Sequence, residues 1–212
     1  MIKITSTNKK RLLVLIKNTK IFFCIIFICS FVNSYSQTKL IDSLKQLLNS
    51  PKFDTTELNT IDDFANRLTE KEPDSAIVVL MQAKIVLEKQ LIGLKNNSPF
   101  KQYTLKKYGL ILHKIGNCYF NNNTTNALAF FKQAFKIREE AKDTYGAAAT
   151  LNNIGNIYSN LGQIQEAIKT YNKSLRYSEA IGDKEGVSSI YNNLANICYT
   201  QGQINEALDY YH

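Results

Sequence analysis

Asparagine side chains spaced four residues apart are the groups in this sequence best suited to hydrogen bonding with a partner. Asn152 and Asn156 form one pair, and Asn192 and Asn196 repeat it 40 residues later. Residues four apart lie on the same face of a helix, so each pair directs two amides the same way. Each amide offers both donors and an acceptor. The pairs predict a binding face, with hydrogen bonds to neighbouring helices or turns as the structural alternative.

Catalytic and metal-binding residues form no comparable pattern. His113 and Asn117 hold the places equivalent to the asparagine pairs, and Cys118 is nearby, but residues five apart on a helix share a face poorly. His113 and His212 are the only histidines, so most acid–base schemes lack their usual residue. The sequence contains no Ser-His-Asp set and no phosphate-binding loop. We therefore predict a chain that is not an enzyme and that uses no cofactor and no metal.

The chain repeats itself with a period of 40 residues. Residues 155–167 match 195–207 in register, and an earlier copy begins at residue 115 with one residue fewer in its turn. Three equally spaced alanines mark the register: Ala127, Ala167 and Ala207. A period of this length is the signature of a solenoid built from stacked supersecondary units.

Each unit is predicted to contain two amphipathic helices. In the second unit these helices span 144–161 and 164–181. Apolar residues recur on one face of each: Leu151, Ile154 and Tyr158 on the first, and Ala167, Ile168, Tyr171 and Leu175 on the second. Gly162 and Gly182 follow the two helices, as glycine commonly does just past a helix end. Gly155 is small enough to let the two helices approach closely.

The order of apolar, small and aromatic residues in these units resembles the tetratricopeptide repeat. In the second unit the family positions fall on Leu151, Ile154, Gly155, Tyr158, Ala167 and Tyr171. The first unit has Leu112, Ile115, Gly116, Tyr119, Ala127 and Phe131, and the third has Tyr191, Leu194, Ala195, Cys198, Ala207 and Tyr211. The chain lacks Trp, and its period exceeds the common repeat of about 34 residues. It is similar to the extended subclass, which implies an all-α, right-handed superhelical solenoid of helical hairpins.

The resemblance also implies a concave groove lined by the first helix of each unit. An asparagine ladder in such a groove binds the backbone of an extended peptide, so a protein or peptide ligand is predicted. The predicted groove residues are His113, Asn117, Asn152, Asn156, Asn160, Asn192, Asn196 and Tyr199. This groove is expected to be polar and nearly uncharged, without the Lys/Arg pair that would clamp a C-terminal carboxylate.

The net charge of +8 is carried mainly by the N-terminal segment. Six basic and no acidic residues precede position 37, which leaves 20 basic and 18 acidic residues in the rest of the chain. A protein that binds nucleic acid keeps a basic patch in its folded part. The sequence therefore predicts no nucleic-acid partner.

The carboxylates of Glu139, Glu140 and Asp143 are predicted to lie at a solvated helix end.

The first 36 residues are predicted to be a signal peptide. A basic stretch ends at Lys20, and an uninterrupted apolar run spans 21–32. This run suits a signal core and is shorter than the roughly 20 apolar residues that cross a membrane. Ser34 and Ser36 supply small residues for cleavage before Gln37. Export to the periplasm or another extracytoplasmic space is therefore predicted, with an uncleaved membrane anchor as the alternative.

The four cysteines divide between the signal and the repeats. Cys24 and Cys29 lie in the signal and lack the small preceding residue that lipid attachment expects. Cys118 and Cys198 hold nearly equivalent places two repeats apart. Packed helices lie about 8–10 Å apart, so this pair exceeds the roughly 7 Å Cα separation that a disulfide tolerates. Both are predicted to be small buried apolar residues.

Three regions are predicted along the chain. They are the signal peptide at 1–36, N-terminal helices with a degenerate hairpin at 37–98, and an array of about three repeats at 99–212. The third unit stops inside its second helix, so a longer protein is expected. Any membrane contact is expected only through an uncleaved signal or a missing C-terminal segment.

Two functions remain open from the sequence. The first is an exported scaffold that binds a peptide or protein. The second is the sensory part of a truncated receptor, because the N-terminal arrangement resembles tetratricopeptide sensor proteins of Bacteroidetes-type bacteria. In those proteins the exported repeats precede a membrane helix and then a histidine kinase or a transcriptional regulator. An intracellular adaptor is a third possibility, and it conflicts with the predicted signal peptide.

Overall fold

The structure is a computed structural model that describes residues 73–94 and 98–211. These ranges contain seven helices and no strand: α1 Pro73–Gly93, α2 Pro99–Tyr119, α3 Thr124–Glu140, α4 Thr144–Asn160, α5 Ile164–Ala180, α6 Lys184–Thr200 and α7 Ile204–Tyr211. The predicted all-α class is confirmed, as are the two helices of the second unit. The predicted signal peptide at 1–36 and most of the predicted N-terminal region, including the first helix of the degenerate hairpin, lie outside the described residues.

The helices form three consecutive hairpins, α2 with α3, α4 with α5, and α6 with α7, and α1 packs against α2. The second helix of each hairpin also packs against the first helix of the next hairpin. One core layer accordingly joins Phe131 of α3 to Ile154 and Ile157 of α4. The next joins Tyr171 of α5 to Ile190 of α6, with further apolar residues around them. Since each layer needs residues from two hairpins, each hairpin is stabilised by its neighbours, as in other solenoids.

Small residues set the distance between the two helices of a hairpin. A Cβ at Gly155 would lie 2.5 Å from Cε1 of Tyr171, and one at Gly116 would lie 2.7 Å from the Phe131 ring. Both rings are completely or almost completely buried. The aromatic face therefore lies directly on the backbone of the first helix, which confirms the predicted close approach at Gly155.

Side-chain caps fix where the helices begin. Asp143 accepts a hydrogen bond from the Gly146 backbone N–H at 3.2 Å, and Asp183 accepts one from Gly186 at 3.0 Å. Ser98 caps α2 in the same way, directly before a proline at the first helical position. Local sequence thus determines the start of each of these helices.

Glycines with positive φ end three of the described helices, α4, α5 and α6. Gly162, Gly182 and Gly202 have φ of 69°, 69° and 77°, the left-handed region that glycine adopts without a steric penalty. The turn from α3 to α4 places Lys142 there instead, with φ of 52°. A residue with a Cβ is disfavoured in this conformation by about 1–2 kcal/mol.

Replacing Lys142 with glycine is expected to raise the free energy of unfolding by about 0.5–1 kcal/mol. Relief of the left-handed strain exceeds the entropy that glycine adds to the unfolded chain. Urea unfolding followed by circular dichroism at 222 nm measures the change. Lys142→Ala is the control, because it removes the same side chain and keeps the strain. Equal stabilisation by both variants would contradict the conformational explanation.

Candidate functional site

The eight predicted groove residues all lie on α2, α4 and α6, the first helices of the three hairpins. Five of them are exposed, namely Asn117, Asn160, Asn192, Asn196 and Tyr199, and three are half-buried, namely His113, Asn152 and Asn156. None belongs to the fully buried core. We call the surface that they line on these three helices the groove face.

Amide side chains join successive first helices. Asn153 Nδ2 donates to Asn117 Oδ1 at 3.1 Å, and Asn193 Nδ2 donates to Asn152 Oδ1 at 2.9 Å. The first bond connects α2 to α4 and the second connects α4 to α6. The sequence prediction included both acceptors and missed both donors, although Asn153 and Asn193 recur with the same 40-residue period. The repeated Asn-Asn doublet was the signal that could have identified them.

Tyrosine hydroxyls occupy two further asparagine oxygens inside the hairpins. Tyr171 donates to Asn156 Oδ1 at 2.6 Å, and Tyr211 donates to Asn196 Oδ1 at 2.9 Å. Burial raises the pKa of Tyr171 to about 12, so its hydroxyl stays protonated and remains a donor at neutral pH. The structural alternative, in which the asparagines form hydrogen bonds to neighbouring helices, thus applies to part of the set.

These internal bonds leave the groove face with an excess of hydrogen-bond donors. Four asparagine oxygens are engaged by donors of the chain itself, and the NH2 group of each amide carries two N–H donors. The side-chain nitrogens of Asn156 and Asn196 form no hydrogen bond to another described residue. Such a surface matches carbonyl and carboxylate oxygens better than it matches N–H groups.

A buried polar network lies beside the amides, between α2, α3 and α4. Arg138 is 4% exposed, and its Nη1 donates to the Gly146 carbonyl oxygen and to Thr150 Oγ1. The Thr150 hydroxyl donates to the same carbonyl at 2.8 Å. His113 Nδ1 lies 3.0 Å from Thr150 Oγ1, and Asn153 Nδ2 lies 3.4 Å from His113 Nε2. Because Nε2 accepts from the amide, the neutral ring carries its proton on Nδ1.

The charges in this network differ from those expected from the sequence. Asp143 Oδ2 lies 3.7 Å from Arg138 Nε, so this half-buried carboxylate faces a cation and also caps α4. The prediction of a solvated helix end fits the exposed Glu139 and Glu140, whereas Asp143 lies at a helix end but is only half-exposed. The expectation of a nearly uncharged groove also needs correction, because Lys106, Lys107 and Arg138 line one pocket beside His113. The reason is that Lys106 and Lys107 precede the first repeat motif on α2 and Arg138 lies on α3, outside the first-helix positions from which the groove was predicted.

Two internal glycines were the sequence signal for the buried arginine. A Cβ at Gly109 would lie 2.6 Å from Arg138 Cγ, and one at Gly146 would lie 2.8 Å from Arg138 Cζ. Glycine is unfavourable inside a helix, so two of them at sites that face one point indicate a large neighbour. Sequence reasoning did not connect these glycines with Arg138 or with Thr150.

Burial lowers the pKa of His113 to about 3, and the nearby charges of Arg138 and Lys114 add to the effect. In the unfolded chain the ring titrates near its ordinary value of about 6.5. Between these two pH values the unfolded state binds a proton that the folded state does not bind. Stability is therefore fully present above about pH 6.5 and falls as the pH is lowered towards 3.

Replacing His113 with asparagine, the residue at the equivalent place in the next repeat, is expected to flatten the pH dependence of stability. The wild-type chain should lose up to about 1.4 kcal/mol per pH unit through this ring between pH 6 and 4, and the variant should not. Urea unfolding at a series of pH values measures both slopes. Parallel slopes for the two proteins would show that His113 is not the titrating group.

Metal ligands are not gathered at this face. Within residues 73–94 and 98–211, no three His, Cys, Asp or Glu side chains lie close enough to hold a metal ion. Cys118 is buried, as predicted, whereas Cys198 is half-buried. Of the helices that the structure describes, none has both the length and the apolar character of a membrane span.

Comparison with known proteins agrees with this geometry. The family model of the tetratricopeptide repeat matches residues 146–211. No curated protein sequence matches the chain. Among solved structures, BtubC (BKLC) from P. vanneervenii is similar, with a TM-score of 0.63 and 18% identity over 83% of this chain and 68% of that one.

Two further solved structures share the fold. The TPR-like repeats from Podosopora anserina, described as kinesin light chain, give a TM-score of 0.54 at 18% identity, covering 75% of this chain and 74% of that one. The Rap conjugation gene regulator of plasmid pLS20, solved with the Phr* peptide, gives 0.55 at 16% identity over 76% of this chain. This chain spans 46% of that regulator. Identities this low establish a shared fold of stacked helical hairpins.

Proposed function

We propose that the chain is a tetratricopeptide-type scaffold that binds an extended peptide segment along its groove face. The family assignment is supported by the family-model match at residues 146–211 and by the similar folds of solved repeat structures. Repeats of this kind mediate contacts between proteins. The finer statement, a peptide held by backbone hydrogen bonds to asparagines, rests on the chemistry of the groove face itself.

The observation that carries the proposal is the donor excess of the groove face. Asn160 and Asn192 are exposed and form no side-chain hydrogen bond to another described residue. The amino groups of Asn156 and Asn196 are also available as donors, whereas the oxygens of these two amides each already accept a hydrogen bond from a tyrosine hydroxyl. An extended peptide exposes a carbonyl acceptor at every residue, so a row of fixed amide donors is suited to it.

The peptide-bound Rap regulator supports the same ligand class. Its structure contains the Phr* peptide, and its fold is similar to that of this chain over 76% of the present sequence. That peptide is a ligand of the regulator. For this chain it supports only the general class, a short polypeptide on a stack of helical hairpins.

We further propose that the scaffold works outside the cytoplasm. The support is the N-terminal basic stretch followed by the apolar run at 21–32. N-terminal sequencing of the protein secreted by its own cells tests this, and Gln37 as the first residue is the expected result. A mature protein that retains residue 1 in the cytoplasm would overturn it and favour an intracellular adaptor.

A sensory role in a membrane receptor is the second candidate. It is favoured by the combination of a predicted export signal with repeats that carry no assigned catalytic group. The open reading frame beyond residue 212 discriminates the two candidates. A stretch of about 20 apolar residues followed by a kinase or regulator domain supports the receptor. A polar capping helix in that place supports the freestanding scaffold.

The scaffold proposal is tested with the full chain and a random library of dodecapeptides with acetylated and amidated ends. Peptides that bind are expected to lose about tenfold in affinity when Asn160 and Asn192 are both replaced by alanine, because two hydrogen bonds are removed. Melting temperature should be nearly unchanged, since neither side chain is bonded internally. Gln165→Ala, an exposed change on α5, is the control. Peptides that bind equally to both variants would place the ligand elsewhere.

A further inference from the structure

A pocket of about 420 Å³ opens on the groove face between the N-terminal halves of α2 and α4. Tyr103, Lys106 and Leu110 of α2 line it, together with Tyr145 and Ala149 of α4 and Arg138 of α3. We call it the basic pocket. Lys106, Leu110, His113 and Asn117 follow one another at intervals of four, three and four residues along α2, so the pocket continues the amide-lined face.

The basic pocket has more positive than negative charge. Lys106, Lys107 and Arg138 line it, and Asp143 is the only carboxylate among its lining residues. Arg138 Nε is buried and has no hydrogen-bond partner among the described residues, because Asp143 lies 3.7 Å away and caps α4 with its other oxygen. Lys106 is exposed and forms no ion pair within those residues. The positive charge is therefore only partly neutralised by the chain itself.

The equivalent pocket one repeat later has the opposite charge. It measures about 200 Å³, lies between α4 and α6, and is lined by Asp183 and Glu185 without any Lys or Arg. We call it the acidic pocket. The 40-residue shift replaces Arg138 by Ser178 and Tyr145 by Glu185, so the change of sign arises from substitutions at matching repeat positions.

The distance between the two pockets predicts how many residues of a peptide ligand separate the side chains that enter them. Successive first helices are joined by asparagine hydrogen bonds, so their separation is taken as about 10 Å, the upper end of the range for packed helices. An extended peptide advances about 3.3 Å per residue, so it crosses one layer in about three residues. A peptide along the groove face would thus bring two of its side chains, about three positions apart, to pockets of opposite charge.

We propose that the ligand carries an acidic side chain that enters the basic pocket and a basic side chain, about three residues away, that enters the acidic pocket. This inference rests on the proposed function, because it assumes a peptide on the groove face. The carboxylate is held by Lys106 and by the charge of Arg138, with the aromatic rings of Tyr103 and Tyr145 flanking it. The basic group is held by Glu185 at the rim and by the charge of Asp183.

Selection and charge reversal test the proposal. The full chain is screened against the end-blocked dodecapeptide library, so a terminal carboxylate cannot account for binding. Selected peptides are expected to be enriched in Asp or Glu paired with Lys or Arg two to four positions away. Lys106→Glu and Glu185→Lys should each weaken a selected peptide about tenfold, since each converts an attraction into a repulsion. Lys169→Glu and Glu140→Lys, exposed changes outside both pockets, are the matched controls.

Rescue separates charge recognition from damage to the fold. A peptide with its acidic residue changed to lysine should bind Lys106→Glu more tightly than it binds the wild-type chain. One outcome would overturn this inference and leave the proposed function standing. In it, peptides bind and lose affinity for the Asn160 and Asn192 double variant, but they lack the charge pattern and are insensitive to Lys106→Glu. A library from which no peptide binds the groove face would overturn both.

Discussion

Replacing Tyr171 with alanine is expected to lower the free energy of unfolding by about 3–5 kcal/mol. The Tyr171 ring is 2% exposed and lies against the backbone of α4 at Gly155. It also contributes to the core layer that joins α5 to α6 through Ile190 and Leu194. Truncation leaves a cavity that these helices cannot close, because both are held by their turns. Urea unfolding followed at 222 nm measures the loss.

Tyr171→Phe is the matched control for this prediction. Phenylalanine keeps the ring and removes only the hydroxyl that donates to Asn156, so a loss of about 1 kcal/mol is expected. The first repeat already places Phe131 at the equivalent position, completely buried against Gly116. Equal losses for Tyr171→Ala and Tyr171→Phe would assign the stabilisation to the hydrogen bond instead of the ring.

Replacing Arg138 with alanine is expected to cost about 3 kcal/mol of stability. The side chain fills the space left by Gly109 and Gly146, and its Nη1 serves the Gly146 carbonyl and the Thr150 hydroxyl. Alanine removes the packing and leaves Asp143 without its cation. The same urea experiment measures the change.

Two further variants separate packing from charge at Arg138. Arg138→Met keeps most of the volume and should lose about 1–2 kcal/mol, mainly because Asp143 is left beside an apolar group. Adding Asp143→Asn should recover part of this loss, since asparagine caps a helix as well as aspartate and carries no charge. No recovery in the double variant would show that the ion pair has little influence on stability.

Helix boundaries and turns were predictable because local residues determine them. Asp143 and Asp183 cap the helices that follow, and Gly162 and Gly182 end the helices that precede them. Each of these effects acts within four residues. Because the pattern repeats every 40 residues, the prediction made for one hairpin applied equally to the other two.

Which asparagines bond to each other across successive hairpins was not predictable in the same way. Asn117 bonds to Asn153 and Asn152 bonds to Asn193, pairs that are 36 and 41 residues apart. A rotation of one helix by a single position would choose the other member of each doublet. The sequence shows that both members recur, and only the packed helices decide which amide donates and which accepts.

The asparagines of the groove face show this division most clearly. The sequence by itself determined the repeat period, the hairpins, the glycines that end their helices and the helix face on which the amides lie, because each depends on short-range periodicity and local conformation. The tertiary structure decided that four asparagine oxygens are used internally, that Arg138 is buried next to His113, and that neighbouring pockets differ in charge. These properties depend on which side chains meet between hairpins, and that is set by helix packing.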